Sequence, residues 1–595
     1  MKLPSFVQHT FDHEIPGRAR IRYVFGSGLF FAMALQVLTG IVMAFYYVPS
    51  AREAYASVYS IQYEVTWGWL VRGLHHFGAS AVVVLAGLHL LQVFLSGAYR
   101  KPREMSWITG VLMLGLIMGF ALTGYLLPWD QKGYFATQVA TNIAGGVPVV
   151  GEATQTLIQG GTEYGTATLT RFYALHVFAL PLGLLVLIVP HLIYFFRHGV
   201  TAPGKDLVSG RSIKFWPVQA FYDLVFITVI LGVLLTLAVF VGAPLDAPAD
   251  PSSSYVARPE WYFLFLFQIL KYFEGPMMLL GTVIIPGLAA TYLVILPWLD
   301  RSKENTLKAR WKTVAPMAFG LVALAALTLV AMSEDANNKS YQAQLAVQAE
   351  EAKVAKKYAR NGFTAYGTIE ALEGRKLFRT HCTSCHEAEG EGTPECIDGK
   401  CPSDFGLCDS QEQCYRAPVL DHLGSRKWFL DQIERPDHPT KFGTILDKAG
   451  NAIFKGEMPS YADPDDESNF MQPTVRAGVV EYLIQGTGRR YDPPIDTALA
   501  KKGEEDFGEC AYCHEPTEGR TGPLLIDVVP GSRPQVMRLA GYGSDAFLRS
   551  VLNDPGHERL YGELNVMPSF SHLHYTQQDA LIAYLRTLCT DCVDP

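Results

Sequence analysis

The sequence predicts an all-α protein in two parts: a bundle of seven transmembrane helices, then two small helical domains outside the bilayer. Three observations carry this. Seven apolar stretches, at about 24–48, 74–95, 107–127, 173–195, 219–241, 276–297 and 313–332, are each near the roughly 20 residues that cross a bilayer as a helix. The long apolar runs stop at about Met332, and the remainder of the chain is charged. In that second part the motif CxxCH occurs twice, each time behind a short amphipathic stretch, EALEGRKLF or KKGEEDFG.

Composition agrees with a split chain. The 595 residues are 49% hydrophobic with net charge −8 and mean hydropathy +0.14, too apolar for a soluble chain and too mixed for a pure membrane protein. Met1 to Arg22 is polar and ends in GRARIR, so it reads as a surface segment and not as a cleaved signal. Basic residues gather in every second loop: Arg18, Arg20 and Arg22; Arg100, Lys101 and Arg103; Arg197, Lys205, Arg211 and Lys214; Arg301, Lys303, Lys308, Arg310 and Lys312. Positive loops face the cytoplasm, so the N-terminus lies inside and, after an odd number of spans, the C-terminal part lies outside. All ten cysteines lie beyond residue 380, which suits that oxidising side.

The second and fourth spans each carry two histidines. His75 and His89 are 14 residues apart, about 21 Å along a helix, and His176 and His191 are 15 apart, about 22 Å. At 100° per residue each pair faces roughly one side of its helix, about 40° and 60° apart. Polar residues inside a span are costly and usually functional, and imidazole is a common axial ligand of haem iron. Two such helices side by side would hold two haems, one between His75 and His176 near the outer face, the other between His89 and His191 near the cytoplasmic face. His76 lies further off the seam and has no assigned role. In the first and third spans, Gly26 and Gly40, and Gly110 and Gly124, repeat the 14-residue step. A glycine facing a porphyrin lets the backbone approach the ring, although helix packing also uses glycine. Arg72 and Arg171, at the outer ends of their helices, are candidates to pair with propionates.

Two outer loops carry further chemistry: GYLLPWDQKGY, 124–134, and PEWY, 259–262. From the residues alone, Glu260 reads either as a proton acceptor whose apolar setting suits general-base work or as an interface glutamate. The CxxCH motifs, Cys382/Cys385/His386 and Cys510/Cys513/His514, are attachment sites for c-type haem, and the matching copies argue against a zinc or redox site. Each is succeeded 50–75 residues on by MPS, offering Met458 to the first and Met567 to the second as sixth ligand. HLGSRKWFLDQIERPDHPTKFG echoes GYGSDAFLRSVLNDPGHERLYG, so this half is an internal repeat, each copy running helix, CxxCH, helices, Met, helix. VVEYLIQGTG and LIAYLRTLC are the closing helices. Cys396, Cys401, Cys408 and Cys414, in a polar insertion, read as two disulfides of open pairing, with a metal site as alternative. Cys589 and Cys592 read as a third bridge, or as cysteines paired to a partner chain. Glu334 to about Ala371, rich in Ala, Gln, Lys and Glu, reads as a surface helix or a plain flexible linker.

The membrane half, roughly residues 20–335, resembles cytochrome b of the quinol–cytochrome c oxidoreductases, the family of the bc and b/f complexes, on the four histidines, the glycine pairs, PWDQ and PEWY. The 15-residue histidine step, KPREMSWITG, LLPWDQKGYFA and RPEWYFLFLFQILKYF sit nearer the b/f branch. The second half resembles two class I cytochrome c domains. The resemblance implies five segments: 1–218 and 219–335 as the two parts of cytochrome b, 336–368 as linker, and 369–494 and 495–595 as cytochrome c-like domains. It implies a quinol-oxidising pocket between Pro128–Trp129 and Pro259, Glu260, Trp261 and Tyr262, with Glu260 accepting a proton and Tyr125 and Tyr262 lining the pocket. The inner quinone-reducing pocket would lie beside the His89/His191 haem, with Asp223, and less directly Lys214 or His198, carrying protons. Implied cofactors are two non-covalent haems b, two covalent haems c, and quinol and quinone. The b/f branch attaches an extra haem through a cysteine, but the corresponding residue here is Ala32, so no covalent haem is expected in the membrane half. No Rieske-type ligand boxes remain once the haem motifs are subtracted, so an iron–sulfur protein would be a separate partner. A soluble acceptor such as a cytochrome c, membrane lipid and a second copy in a homodimer complete the expected partners, with no nucleic acid. The expected setting is a bacterial inner membrane and the expected activity is proton-translocating quinol–cytochrome c oxidoreduction. The rival reading is a non-catalytic haem conduit from a partner dehydrogenase, which would need the histidines but not Glu260 or the PWDQ loop.

Overall fold

The computed structural model describes residues 14–16, 23–201, 212–251, 255–273, 275–302, 304–361, 364–390, 392, 417–436, 438, 441, 444–446, 452–455, 458–508, 510, 542–557 and 567–593. Cys396, Cys401, Cys408, Cys414, Cys513 and His514 lie outside the described residues, and with them the candidate disulfide loop and the end of the second CxxCH motif. The chain divides into Met1–Lys353 and Val354–Pro595.

The first unit is a helical bundle. Among the described residues, seven helices are long and apolar enough to cross a membrane: Val24–Ala44, Gly68–Leu95, Glu104–Leu126, Thr166–His198, Phe215–Val241, Leu280–Leu299 and Trp311–Asn337. These are spans one to seven, at the places expected from hydropathy. Spans one and two pack together, spans three and four pack together, and span five lies against span one. Apolar side chains face outward along much of their length, as Leu182, Leu185, Val186, Phe221 and Val229 do, as the lipid-facing surface of a membrane bundle should.

Span four is not a uniform α-helix. Leu175–Ala179 forms a π-helical turn between Thr166–Ala174 and Leu180–His198. Pro181 lacks the N–H that would bond the carbonyl four residues back, which loosens the ladder at this place. The turn inserts one extra residue immediately around His176, so the 15-residue step of this span accommodates the same rise as the 14-residue step of span two.

Between spans six and seven, the Arg310 side chain is fully buried and donates to the carbonyls of Phe94 (2.9 Å) and Leu95 (2.7 Å) at the end of span two. A basic residue that marks loop polarity in the sequence therefore also caps a helix C-terminus. Beyond span seven, Lys339–Arg360 is a helix. Its Gln344 accepts from the Val256 N–H at 2.7 Å and its Gln348 donates to Asp246 at 3.0 Å.

The second unit has one continuous apolar core drawn from both repeats, with Phe378, Trp428, Ile484, Phe547 and Tyr584 all buried in it. Two domains in tandem would each close on themselves. Instead the opening helix of the first repeat, Ala365–His381, packs on the closing helix of the second, Tyr575–Thr587, while Pro473–Gln485 packs on Thr497–Asp506. Glycines permit both crossings: Gly374 lies against the backbone of Ala580, and a Cβ on Gly478 would stand 3.3 Å from the Cα of Gly503. Cys589 and Cys592 are disulfide-bonded beside a two-stranded pairing of Arg490–Tyr491 with Cys592–Val593.

Candidate functional site

The four histidines face a common seam. His75 on span two and His176 on span four stand with ring centres 6.4 Å apart, their planes at 68°. That separation leaves room for one metal ion between two imidazole nitrogens, each at about 2.0–2.1 Å from it. His89 lies within electrostatic reach of His191 at the other end of the seam.

The glycines lie against the histidines. A Cβ added at Gly40 would stand 3.3 Å from Cε1 of His75, at Gly26 3.3 Å from that of His89, at Gly110 3.4 Å from that of His191, and at Gly124 2.6 Å from that of His176. Each bare glycine is the shelf on which one imidazole edge lies, on the neighbouring helix of its own pair.

The residue before three of these glycines completes the arrangement. Thr39, Thr109 and Thr123 hold their hydroxyl oxygens 2.9, 3.0 and 3.1 Å from Nδ1 of His75, His191 and His176. Each hydroxyl already donates to a carbonyl four residues back, of Leu35, Met105 and Gly119. Its oxygen is therefore left to accept from the ring N–H, which fixes the proton on Nδ1 and leaves Nε2 free to ligate. Phe25 stands in the fourth place, and Nδ1 of His89 is buried with no hydrogen-bond partner among the described residues. Bare shelves, a set tautomer and a metal-sized gap all fit an axially ligated haem. The signal for this in the sequence is the Thr–Gly dipeptide, which the spacing of the glycines alone does not disclose.

The PWDQ and PEWY loops come together. Glu260 precedes the short helical turn Trp261–Phe263, and its carboxylate accepts from Nζ of Lys132 at 2.8 Å, with both side chains partly buried. Lys132 also lies over the Tyr125 ring, 5.3 Å from its centre. The Tyr125 hydroxyl reaches the carbonyl of Arg258 at 3.5 Å, and the Trp261 indole N–H reaches Ser80 on span two at 3.4 Å. The group is thus at the His75 end of the bundle, and His76 lies within electrostatic reach of both Glu260 and Lys132. Nothing beside Lys132 in its own loop marks it for a role. Only the meeting of two loops 128 residues apart reveals its partner.

Trp129 belongs to an apolar cluster. Its φ of 53° is left-handed, and its ring is buried against Leu126, Tyr134, Leu169 and Phe172. Next to it Asp130 caps the helix Gln131–Gly145 through the Gly133 N–H at 2.8 Å. The loop is fastened to 246–249 by Gln131 N–H to the carbonyl of Ala247 (2.9 Å) and Ala249 N–H to that of Trp129 (3.0 Å). There the Asp246 carboxyl is pushed up to about 6 by burial, then by the neighbouring charge of Asp130.

Neither propionate candidate is shown turned toward the seam. Arg72 is buried and donates to Gln62 (2.7 Å) and to the carbonyls of Ala243 (3.0 Å) and Pro244, joining span two to the loop after span five. Arg171 is exposed and donates to the carbonyl of Ala167 on its own helix at 3.1 Å. Asp223 accepts from Gln219 at 2.9 Å and is met by Ser27, the neighbour of the Gly26 shelf, so it stands by the His89 end. In the second unit Nδ1 of His386 donates to the carbonyl of Pro418 at 2.9 Å, again leaving Nε2 free.

A seven-span bundle with two facing histidine pairs, continued by a CxxCH-bearing helical unit, defines a membrane haem protein with a second, c-type region. Comparison with known proteins narrows this. The description Cytochrome b/b6/petB matches residues 10–199, Cytochrome b(C-terminal)/b6/petD matches 248–349, and Cytochrome c matches 371–486. Over 200 residues the chain is 48% identical to the menaquinol:cytochrome c reductase cytochrome b subunit of Geobacillus thermodenitrificans, covering 32% of this chain and 89% of that one. Over 203 residues it is 40% identical to cytochrome b6 of Oltmannsiellopsis viridis, covering 34% and 94%. A solved hyperthermophilic respiratory Complex III aligns with TM-score 0.51 and 28% identity, covering 55% of this chain and 88% of that one. The chain belongs to the cytochrome b family, with a cytochrome c region fused behind it. Haem b and haem c are accordingly its cofactors.

Proposed function

We propose that this chain is the fused cytochrome b and dihaem cytochrome c subunit of a proton-translocating quinol–cytochrome c oxidoreductase. The observation that carries this reading is the His75/His176 pair, at metal-sharing separation, beside the Lys132–Glu260 ion pair. A bare conduit needs the first and has no use for the second. His75 with His176, and His89 with His191, would hold two non-covalent haems. Cys382, Cys385 and His386, and Cys510, Cys513 and His514, would hold two covalent ones. Bound haem supplies one-electron transfer between a two-electron quinol and one-electron carriers.

The residues of the chain handle protons and position. Glu260 receives a proton from a quinol hydroxyl bound between the PEWY and PWDQ loops, and Tyr125 and Tyr262 bound that space. While Glu260 is ionised, Lys132 holds it; once it is neutral the attraction is lost and the acid is free to turn away with its proton. Asp246, with its carboxyl near 6, is a further proton-holding group on the same side. Asp223 serves the pocket by His89. In this reading the PEWY end faces the outside of a bacterial inner membrane, the segments divide near 218, 335 and 368, and the partners are an iron–sulfur protein, a soluble c-type acceptor and a second copy. The relative from Geobacillus acts on menaquinol, which makes menaquinol the first quinol to supply.

The test is to purify the assembled complex and measure reduction of a soluble cytochrome c by quinol. Two non-covalent and two covalent haems per chain, with turnover that needs an iron–sulfur partner, are expected. Haem without quinol-dependent turnover in the complete complex would leave only the conduit reading.

Removing the acceptor of a ligand N–H makes the imidazole a weaker donor to ferric iron. Thr123→Val is therefore expected to raise the midpoint potential of one b haem by roughly 30–60 mV, about 59 mV being tenfold in relative affinity for one electron. A spectroscopic redox titration checks this, with the second b haem as internal control.

A further inference from the structure

The c region is built by exchange between its two repeats. At corresponding places the repeats carry Gly374 and Phe378, or Gly503 and Phe507, on or at the end of the opening helix, and Tyr482 or Tyr584 on the closing helix. If each repeat closed on itself, Phe378 would meet Tyr482 and Phe507 would meet Tyr584. The opposite is found. Phe378 lies 5.2 Å from Tyr584, both fully buried, and Tyr482 lies 5.4 Å from Phe507. A Cβ on Gly374 would come 2.8 Å from Cβ of Tyr584, a closeness of helices only glycine allows.

The crossing point is identifiable. Gly424 and Gly543 occupy the same place in HLGSR and GYGSD, each just before a helix capped by serine, Arg426–Glu434 and Asp545–Asn553. Both have left-handed backbones, φ 79° and 78°, and a Cβ on Gly543 would be 3.6 Å from the Cα of Gly424. The two copies pass each other here, and exchanging identical elements preserves the contacts of the unexchanged form.

The methionines travel with the exchanged halves. Met567 packs against the common core, three residues before Phe570, whose ring lies 6.1 Å from that of His381, next to Cys382. His572 is also near His381, at 6.4 Å. Met458 goes the other way. Two residues on, Ser460 donates to the carbonyl of Glu434 at 2.6 Å, and Arg476 of the closing helix donates to that of Tyr461 at 3.0 Å. That closing helix is the one packed on Thr497–Asp506, which leads to Cys510.

We infer that the sixth ligand is exchanged: Met567, carried by the second repeat, serves the iron attached at Cys382, Cys385 and His386 of the first, in place of Met458. This reverses the pairing that sequence order suggests, and makes that c-type centre a joint product of both repeats. The inference rests on the c-type reading of the two motifs. Failure to find any covalent haem would sink that reading, whereas covalent haem bound to the other methionine would sink only the exchange.

The test uses the full chain with Cys510 and Cys513 both replaced by alanine, leaving one covalent haem on His386. In that background Met567→Ala is expected to abolish the methionine–iron charge-transfer band and lower the midpoint potential, while Met458→Ala keeps the band. Any other pattern of loss and retention overturns the exchange. Where that double-alanine background does not assemble, the intact dihaem chain decides by double-mutant cycles in thermal unfolding. Phe378→Leu should couple with Tyr584→Leu and be additive with Tyr482→Leu. Coupling to Tyr482 instead overturns the inference.

Discussion

Gly124→Val is expected to leave the complex with one non-covalent haem per chain in place of two, the His75/His176 centre being lost. An added Cβ would lie 2.6 Å from Cε1 and 3.1 Å from Nδ1 of His176, closer than carbon and ring atoms pack. The ring has nowhere to retreat while keeping its line to His75. Thr123 holds its Nδ1 at 3.1 Å and Phe120 meets it edge-on at 5.5 Å. Overpacking in a tight site costs about 1–3 kcal/mol, against at most about 1 kcal/mol of propensity gained by removing a helical glycine. The clash therefore wins. Gly115 of the same span provides the control: a Cβ there meets nothing within 4 Å, so Gly115→Ala should retain both haems with unchanged or slightly higher stability. Pyridine haemochrome analysis reads the count, with the covalent haems as internal standard. Two intact b haems of unaltered spectrum in Gly124→Val would refute the shelf role.

Much of the membrane half is legible in the sequence because its signals are periodic. Hydropathy locates seven spans to within about two turns at either end, and helical spacing alone puts His75 with His89, and His176 with His191, on shared faces. Spacing does not say why one step is 14 and the other 15. That depends on a π-helical turn at Leu175–Ala179, whose only mark in the sequence is Pro181, a residue with several other meanings in a membrane helix. The glycine pairs are visible, yet their partner is not, because repeat spacing says that two positions share a face and not what that face meets. Lys132 is hidden for a similar reason: a charged loop residue has no visible partner until Glu260 is folded against it. The crossed c repeats are hidden most completely, since an exchanged and an unexchanged duplication present the same residues in the same environments. Only the tertiary pairing of Phe378 with Tyr584 separates the two.

Glu260→Gln is expected to lower quinol-dependent cytochrome c reduction by about a hundredfold or more, within the roughly 10²–10⁴ range that a positioned acid or base contributes. The amide keeps the shape of the side chain, so haem content and the Trp261–Ser80 contact should be unchanged. What is lost is the acceptor, and with it the partner of Lys132. Removing the lysine instead separates holding from accepting. Lys132→Met leaves a carboxylate that can still take a proton but is no longer held 2.8 Å from an ammonium. Its turnover should fall several-fold, not a hundredfold, with partial rescue by Lys132→Arg. The two substitutions should also be non-additive, because residues in one ion pair act on the same step. If Glu260 were only an interface glutamate, Lys132→Met and Glu260→Gln would have equal, small effects dominated by stability. A solvent-screened ion pair that only joins two loops contributes about 0.2–1 kcal/mol, too little for a hundredfold loss, which corresponds to about 2.7 kcal/mol in the barrier. The size of the Glu260→Gln effect alone therefore distinguishes a group that meets the substrate from one that merely holds two loops together. Turnover within threefold of wild type in the assembled complex would remove Glu260 from the proton path.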